Sequence, residues 1–426
     1  MSEMLSGLKV ADLSIVTAGA GATQVLADFG ADVVKIEGQS RPDMYRLGFT
    51  GDRGGASDLD FPPFRVANRN KRGLSVNLKD PEGLAIVKRL VAVSDVVVEN
   101  FRRGVIERLG LGYQDLVDLR SNVVLVSISS QGATGPNQGY TSFGTTLDAL
   151  GGVMSVTGYD ASTPTWSSGR INYPDQTANT ISPAVILAAV MASRADGKPR
   201  WVDLSQREVV TSLLGDWILK TSLDGRDPVP MGNAEPGRLE WLSRCVGEDR
   251  WVAISLCSRS DRDRLASLVA AETGDRHDSG TDTDDVELRA ATDRWAAQRT
   301  REAAVAELQA CGLAAAPVNS GEELINDPYL RQRGWWQTVD LPGGGTEQQR
   351  GWVVHFDEGG PDRVKKRAPH VGEDTDEVLA ELRYSAEEIE DLHARGVVSR
   401  PRAVDRDLSC ETSCRSDAEA MREAWT

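Results

Sequence analysis

Asp95-Val-Val-Val-Glu99 and Asn122-Val-Val-Leu-Val-Ser-Ile128 are two short runs that consist mainly of apolar, β-branched residues. Neither run alternates between apolar and polar side chains, which is typical of strands that are buried on both faces. Such strands occur mostly in parallel sheets that carry helices on both sides. The two runs therefore predict a mostly parallel sheet that is covered by helices.

The residues before Asp95 continue this pattern. Strand-like segments lie at 8–13, 31–37 and 74–78. Helical spacing is present at 22–29, which Gly30 would end, and at 81–93, which Pro81 would begin. Strands that alternate with helices in this way indicate an α/β fold.

The C-terminal half has a different composition. Turn-forming residues around 224–237 mark a boundary, and Arg250-Trp-Val-Ala-Ile-Ser255 begins a second, smaller unit. The polar and acidic stretch 272–287 is typical of a mobile loop, whereas 300–311 has the pattern of an amphipathic helix. Residues from about 400 onward are polar and lack a periodic pattern, so we expect a poorly ordered tail.

The chain has 426 residues, of which 40% are hydrophobic, and it contains five cysteines. No stretch approaches the length of a membrane span, so we expect none. The N-terminus lacks a basic region followed by an apolar one, which predicts a cytoplasmic protein. The cysteines are too few for a disulfide framework. Cys410 and Cys414 lack further ligands at metal-site spacing, so we expect no metal.

The formal net charge of the chain is −16, which disfavours general nucleic-acid binding. An anionic ligand would need a local concentration of basic side chains. Two basic clusters adjoin predicted strand ends: residues 65–79, with Arg69, Lys71, Arg72 and Lys79, and residues 100–108, with Arg102, Arg103 and Arg108. Both clusters suit phosphate groups, but solubilising surface charge explains them as well.

Gly19-Ala-Gly-Ala-Thr-Gln24 follows the first predicted strand, and Glu37 ends the second. These positions suit a dinucleotide site, in which the acidic residue binds the ribose. Gln24, however, stands where the third glycine of that motif belongs. A tight turn that needs small residues is therefore the better explanation of the two glycines.

Asp175 stands just ahead of a long apolar run. All four histidines lie at or after His277, so chemistry on the N-terminal sheet has to rely on groups such as carboxylates. An Asp in this place usually caps a helix, yet Ser182-Pro183 supplies a second start signal. Either the helix begins near Asp175 and bends at Pro183, or it begins at Ser182 and leaves Asp175 on a loop.

A series of short segments then follows a fixed order along the chain. The segments are Leu5-Ser-Gly-Leu-Lys-Val-Ala-Asp-Leu13, residues 26–37, residues 70–78, Asp95-Val-Val-Val-Glu-Asn-Phe-Arg102, Asp175, residues 197–205, Gly232-Asn233, Leu313-Ala-Ala-Ala-Pro-Val-Asn319 and residues 326–329. Together they resemble the class III CoA-transferases, the superfamily of formyl-CoA transferase, carnitine CoA-transferase and α-methylacyl-CoA racemase. The resemblance extends from about Leu5 to about Val398.

This resemblance implies an interlocked homodimer of ring-like chains. Each chain would have a large Rossmann-like domain, a small α+β domain, a segment that returns to the large domain and a polar tail, at 1–215, 225–330, 331–400 and 401–426. Coenzyme A or its acyl ester would bind as substrate along the carboxyl ends of the large-domain strands. The resemblance and the basic clusters together predict CoA contacts at Thr17, Ala18, Lys71, Arg72, Val76, Asn77, Leu78, Lys79, Asn100, Phe101, Arg102, Arg108 and Phe143.

Asp175 matches the nucleophilic aspartate of these transferases. The resemblance implies that its carboxylate attacks an acyl-CoA thioester, carries CoA as an aspartyl thioester, and passes it to a free carboxylic acid. Backbone N–H groups of Gly19, Gly21 and Gly232 are candidate donors to the oxyanions that form on the way.

Three departures from the family pattern bear on the substrate and the reaction. Formate-type transferases have Gln at the position of Thr17 and a run of glycines that 232–237 lacks, so we do not expect a formyl or oxalyl substrate. Racemases of the superfamily have Gly-His-Asp where this chain has Ser142-Phe143-Gly144, which argues against the alternative of racemisation. A CoA-binding protein without transfer activity is a further alternative, against which the retained Asp175 argues.

Overall fold

A computed structural model describes residues 3–47, 61–166, 172–232, 237–273, 282–341, 344–358, 360–361 and 363–401. Its largest sheet has six parallel strands: β1 (Lys9–Asp12), β2 (Asp32–Glu37), β3 (Arg72–Ser75), β4 (Val96–Glu99), β5 (Val124–Ser129) and β6 (Arg200–Ser205). The strand order is β3-β2-β1-β4-β5-β6. This is the doubly wound Rossmann order, which reverses between β1 and β4. The predicted α/β fold with a parallel sheet is confirmed.

Helices connect these strands and cover the sheet. They are α1 (Ala18–Asp28), α2 (Pro62–Asn68), α3 (Pro81–Ala92), α4 (Val105–Arg108), α5 (Tyr113–Leu119), α6 (Gly144–Leu150), α7 (Val153–Val156), α8 (Tyr173–Asp196), α9 (Gln206–Ser212) and α10 (Gly215–Asp224), with a 3-10 helix at Met44–Leu47. The helix predicted at 22–29 begins earlier, at Ala18, because the small residues of the glycine motif are themselves helical.

The two runs that predicted the sheet are buried on both faces. Val96 and Val98 belong to a core cluster with α1 and α8, whereas Val97, between them, belongs to a cluster with α3 and α5. Val124 and Leu125 face opposite sides in the same way. Unbroken apolar runs are thus explained by helices on both faces of the sheet.

Helix α8 begins at Tyr173 and continues through Pro183, so the helix does not start at Ser182. By length and composition alone α8 is long and apolar enough to cross a membrane. Its buried residues Ala178, Ile186 and Val190, however, pack with α1 and the strands in the core of the fold. An apolar composition is what this buried position requires.

The strand predicted at 74–78 lies instead at Arg72–Ser75. Beyond it, Val76 forms an isolated bridge with Val398, and the Asn77 N–H donates to the carbonyl of Val397. The chain therefore leaves the large sheet and pairs with a C-terminal segment, which a local pattern does not show.

A second, antiparallel sheet has its own core. Its strands are β7 (Leu239–Arg244), β8 (Trp251–Leu256) and β9 (Ala314–Pro317), and the helices beside them are α11 (Arg259–Thr273), α12 (Asp282–Ala296) and α13 (Arg301–Ala310). Trp295 and Val269 are fully buried among them. The mobile loop predicted at 272–287 is wrong for 282–287, which are helical, while 274–281 lie outside the described residues.

The chain then returns to the large sheet. The connecting elements are α14 (Gly321–Asn326), α15 (Pro328–Gln332) and the hairpin β10 (Trp336–Asp340) and β11 (Thr346–Arg350), and the last are α16 (Thr375–Glu381) and α17 (Ala386–Ala394). Val378 and Leu392 complete the core cluster on the α3 side of the sheet. The tail predicted from 401 onward lies outside the described residues after Pro401.

Candidate active site

Asp175 lies in the first turn of α8, which precedes β6 and therefore begins at the carboxyl edge of the sheet. Helix α1 begins at the same edge because it follows β1. The two helices pack closely, since a Cβ on Gly21 would lie 2.7 Å from the amide nitrogen of Asn179. Ligands of doubly wound sheets bind at this edge, where the strand order reverses.

The Asp175 carboxylate lies between two carboxamides. Gln206 Nε2 donates a hydrogen bond to Oδ1 at 2.5 Å, and Asn172 Nδ2 donates one to Oδ2 at 2.5 Å. Asp175 is only 9% exposed. Among the described residues no cation forms an ion pair with it. The carboxylate is thus held by two neutral donors in a nearly dry environment.

Burial raises the pKa of Asp175 to about 6, and the hydrogen bond from Gln206 opposes that rise. A helix N-terminus also favours the ionised form, but by less than burial disfavours it. At neutral pH the carboxylate is therefore ionised and more basic than an ordinary aspartate. Both properties favour a nucleophile.

Asp175 does not cap α8. The residue at the N-cap is Asn172, whose side chain makes no capping hydrogen bond. The hydrogen bonds to the Asp175 carboxylate come from side chains and not from backbone N–H groups of the first turn. Of the two explanations that the sequence left open, the cap is therefore the weaker one.

Thr17 and Ala18, at the start of α1, are both buried. Tyr45 connects this helix end to Asp175, because its hydroxyl is hydrogen-bonded to the Thr17 side chain and it interacts electrostatically with Asp175. Burial raises the pKa of Tyr45, and Asp175 adds to that rise. The structure thus brings Thr17 and Asp175 into one neighbourhood.

The glycines considered as oxyanion donors serve the packing of the fold. The Gly21 N–H donates to Thr17 O at 2.7 Å inside α1, and the Gly232 N–H donates to Gly158 O at 3.1 Å. Gly19 allows a close approach to Ser14, whose side chain any Cβ at position 19 would overlap. The small residues are needed for contact between elements, and the tight turn predicted here is wrong because Gly19 and Gly21 belong to α1.

The second basic cluster lies at the carboxyl end of β4. Asn100 holds the loop after β1, donating to Ile15 O and accepting from the Ile15 N–H, both at 2.8 Å. Arg102 and Arg108 are exposed, as is Phe143, and Phe101 is half-buried. These side chains leave a basic, partly aromatic surface at the edge where α1 and α8 begin.

The segment after β3 lies at the same edge of the sheet. Val76 is buried and Leu78 is half-buried, whereas Asn77 and Lys79 are exposed. Lys79 is the one lysine of the first basic cluster whose side chain reaches solvent.

Lys71 and Arg72, two of the predicted CoA contacts, have charged side chains that are already bound to other residues of the protein. Lys71 is fully buried, and its ammonium donates to Asp12 Oδ2, Ala20 O and Asn68 Oδ1, each at 2.9 Å. Arg72 is at the amino end of β3, where its guanidinium binds Asp32, Glu377 and Glu381. Sequence spacing shows where charges are, but not which of them the fold already neutralises.

Glu37 is a structural residue and not a ribose ligand. Its carboxylate is buried and forms an ion pair with Arg46 at 2.7 Å. Burial alone would raise the pKa of Glu37, but Arg46 and Lys35 outweigh it and lower the pKa to about 2. Together with the missing third glycine, this excludes the dinucleotide interpretation.

Sequence reasoning missed three residues of the site: Asn172, Gln206 and Tyr45. Gln206 follows the carboxyl end of β6, which is the one signal that could have pointed to it. Asn172 and Tyr45 lie in segments without a regular pattern, and only the tertiary structure brings them to Asp175.

The sequence profile of CoA-transferase family III matches residues 5–375. The chain belongs to CoA-transferase family III. It is accordingly an acyl-CoA:carboxylate CoA-transferase, which uses CoA thioesters as substrates.

Among the relatives of this family III transferase is the succinate–glutarate CoA-transferase of Agrobacterium fabrum, 29% identical over 89% of this chain and 95% of that protein. The succinyl-CoA:mesaconate CoA-transferase of Haloarcula marismortui is 32% identical over 80% of this chain and 86% of that protein. The crystal structure of a CAIB/BAIF family protein from Brucella suis has a TM-score of 0.77 at 26% identity, covering 90% of this chain and all of that one.

Proposed function

We propose that this transferase moves CoA from an acyl-CoA to a free carboxylic acid through a covalent aspartyl-CoA thioester on Asp175. One observation carries the proposal: a buried carboxylate with a pKa of about 6 lies between neutral donors at the carboxyl edge of the sheet. A buried carboxylate without a cation is costly to the fold, and such groups cluster at functional sites. The raised basicity of this carboxylate suits a nucleophile.

CoA would lie along the same edge, with its phosphates near the exposed basic side chains. Arg102, Arg108 and Lys79 are the cations of the predicted set that reach solvent there, and Thr17, Ala18, Asn100 and residues 76–78 would line the path toward Asp175. In a chain with a net charge of −16, a local group of exposed cations is the feature that an anionic ligand requires. Lys71 and Arg72 are not part of this proposal.

For the acceptor we propose a dicarboxylic acid, with Arg207 as the partner of its second carboxylate. Arg207 directly follows Gln206 and is half-buried. In the described part of the chain it has no carboxylate partner, and its guanidinium donates a hydrogen bond from Nη1 to Gln131 Oε1 at 3.5 Å. Arginine binds carboxylates in a bidentate manner. Relatives named for succinate, glutarate and mesaconate act on acids of this class.

We also propose that two chains form the interlocked homodimer that the sequence led us to expect, with the return segment 331–400 closing each ring. Helix α10 supports this proposal because none of its residues is buried within the chain. Its side chains Ile218, Leu219 and Leu223 are all more than half exposed. Apolar side chains grouped in this way mark a protein contact. Analytical ultracentrifugation is expected to give a dimer for the wild type.

The test of the function is a transfer assay with a panel of acyl-CoA donors and of mono- and dicarboxylic acceptors. We expect new CoA esters with the wild type and none with Asp175→Asn. Racemisation is the alternative, and it would exchange the α-hydrogen of the acyl group with deuterated solvent. Exchange without any new CoA ester would overturn the proposal in favour of that alternative.

A further inference from the structure

We infer that Gln206 is a catalytic residue, the donor that stabilises the oxyanion on the Asp175 carbonyl during transfer, and that Asn172 is a positioning residue for the opposite oxygen. The inference rests on the proposed function, since it assigns a role within the aspartyl-CoA reaction. Gln206 Nε2 touches a reacting atom, Oδ1 of Asp175, at 2.5 Å.

Two of the three expected backbone donors are already occupied. The N–H groups of Gly21 and Gly232 donate to backbone carbonyls within the fold. The Gln206 carboxamide is instead directed at the carboxylate itself. Stabilisation of an oxyanion requires a donor at about this distance, held in place before the reaction.

Gln206 is held rigidly. It is 7% exposed and is the first residue of α9, directly after β6. Ser205, which ends the strand, caps the helix by accepting a hydrogen bond from the Glu208 N–H at 3.3 Å. The strand and the cap fix the backbone of Gln206, so its side chain approaches Asp175 from a defined direction.

Asn172 orients the other oxygen of the carboxylate. Its Nδ2 donates to Oδ2 of Asp175, while its own Oδ1 is buried and has no hydrogen-bond partner among the residues that the structure describes. A Cβ on Gly144 would overlap that oxygen, so the absence of a side chain at position 144 leaves the room that the carboxamide needs. A buried, unsatisfied acceptor is unfavourable, which is consistent with an orientation set by Asp175.

The chemistry then follows from the two contacts. Oδ2 of Asp175 attacks the acyl carbon, the carbon–sulfur bond breaks, and CoA leaves as a thiolate, which leaves a mixed anhydride of the acyl group and Asp175. The thiolate adds to Cγ of Asp175, and the electron pair of the Cγ–Oδ1 double bond moves to Oδ1, where Gln206 donates. When this pair returns, the Cγ–Oδ2 bond breaks and the donor acid departs as a carboxylate with Oδ2.

A neutral donor suits both the resting carboxylate and the tetrahedral intermediate. A cation bound to Asp175 would lower its pKa and weaken it as a nucleophile, as Arg46 does for Glu37. A carboxamide stabilises the negative oxygen of the tetrahedral intermediate without neutralising the resting carboxylate.

The test compares the wild type with Gln206→Leu, Gln206→Glu and the control Gln176→Leu. Gln176 is the neighbour of Asp175 in α8 and bonds to Asn179, not to the carboxylate. Transfer rates are measured from acidic to alkaline pH, and the melting temperature of each variant shows whether it folds. Gln206→Glu keeps the shape of the side chain if the leucine variant fails to fold.

We expect Gln206→Leu to lower kcat by about 100-fold to 1000-fold with an almost unchanged KM for acyl-CoA. The acid limb of the pH profile should also move up by about one to two pH units, because a hydrogen bond to a charged group is lost. Gln176→Leu should change neither quantity. Gly144→Ala, which displaces Asn172, should move the same limb upward without any loss of a polar group.

Two results would overturn the inference. If the pH limb of Gln206→Leu moves while the plateau rate stays at the wild-type value, Gln206 only tunes the pKa of Asp175. An unchanged rate and an unchanged pH limb would exclude both roles of Gln206, stabilisation of the oxyanion and tuning of the Asp175 pKa. Absence of transfer by the wild type with every substrate would instead contradict the proposed function, which keeps the two failures apart.

Discussion

Asp175 and Glu37 are both buried carboxylates near the carboxyl edge of one sheet, yet burial has opposite outcomes for them. Glu37 is paired with the Arg46 guanidinium, and its pKa falls to about 2. Asp175 is paired with two carboxamides, and its pKa rises to about 6. The partner therefore decides whether a buried carboxylate is inert or basic. The same fold holds one of each kind.

The largest expected effect concerns the basic carboxylate. Asp175→Asn removes the nucleophile and should lower the transfer rate by about four orders of magnitude or more. The asparagine amide is similar in size, so we expect an unchanged fold. Steady-state transfer assays and circular dichroism measure the two properties. An unfolded Asp175→Asn protein would show that the Asp175 carboxylate is required for the fold and not for transfer alone.

The inert carboxylate should show the reverse behaviour. Glu37→Gln removes the buried carboxylate that pairs with the Arg46 guanidinium, which should lower the free energy of unfolding by about 3–5 kcal/mol. Denaturant titration measures this loss. A loss below about 1 kcal/mol would show that the pair contributes little, and the contrast with Asp175 would then fail.

The pH dependence of stability should differ in sign between the two sites. The Asp175 pKa is raised from 3.8 to about 6, so the folded state binds this proton more tightly than the unfolded one. The favourable contribution is complete below pH about 4 and is lost as the pH rises through 6, at roughly 3 kcal/mol in all. For Glu37 the favourable contribution is present at neutral pH and is lost as the pH falls from 4.5 toward 2.

Asp175→Asn should therefore be more stable than the wild type at neutral pH, by up to roughly 3 kcal/mol, and equally stable near pH 4. Unfolding titrations of both proteins at a series of pH values measure this difference. A pH-independent difference would mean that Asp175 does not carry the raised pKa on which its nucleophilic role depends.

A smaller effect is expected at Arg207, which has no carboxylate partner among the described residues, in contrast to Arg46, which pairs with Glu37. Arg207→Leu should raise the KM of dicarboxylic acceptors by about tenfold, since one charge-assisted contact is lost. The KM of monocarboxylic acceptors should stay within about twofold, which makes them the internal control. Equal effects on both classes would place the second carboxylate elsewhere.

A structural feature can be predicted from the sequence when the interactions that determine it are local. The runs at 95–99 and 122–128 predicted the sheet because a strand that is buried on both faces needs apolar side chains at consecutive positions. The start of α8 stayed open because Ser182-Pro183 is a valid start signal that the tertiary structure overrides. A proline is tolerated inside a long helix that the core holds on its buried face.

The residues of the candidate site also fall into two groups, those that the local sequence indicates and those that only the tertiary structure reveals. Asp175 and the exposed cations Arg102 and Arg108 were proposed from the ordered motifs and the charge pattern, and they stay predictions. The buried ion pair of Lys71 was not predicted, because its partner, Asp12, is distant in sequence. Gln206 was missed because its role arises from a contact across the fold, and no property of glutamine marks it in a sequence.

The covalent role of Asp175 is the central claim, and trapping the CoA thioester tests it most directly. The protein is incubated with an acyl-CoA in the absence of acceptor, treated with borohydride, digested and sequenced by mass spectrometry. We predict that position 175 is converted to homoserine, the reduction product of an aspartyl thioester, and that omission of acyl-CoA abolishes the conversion. Transfer activity together with an unmodified Asp175, or with a modification at another carboxylate, would contradict the account.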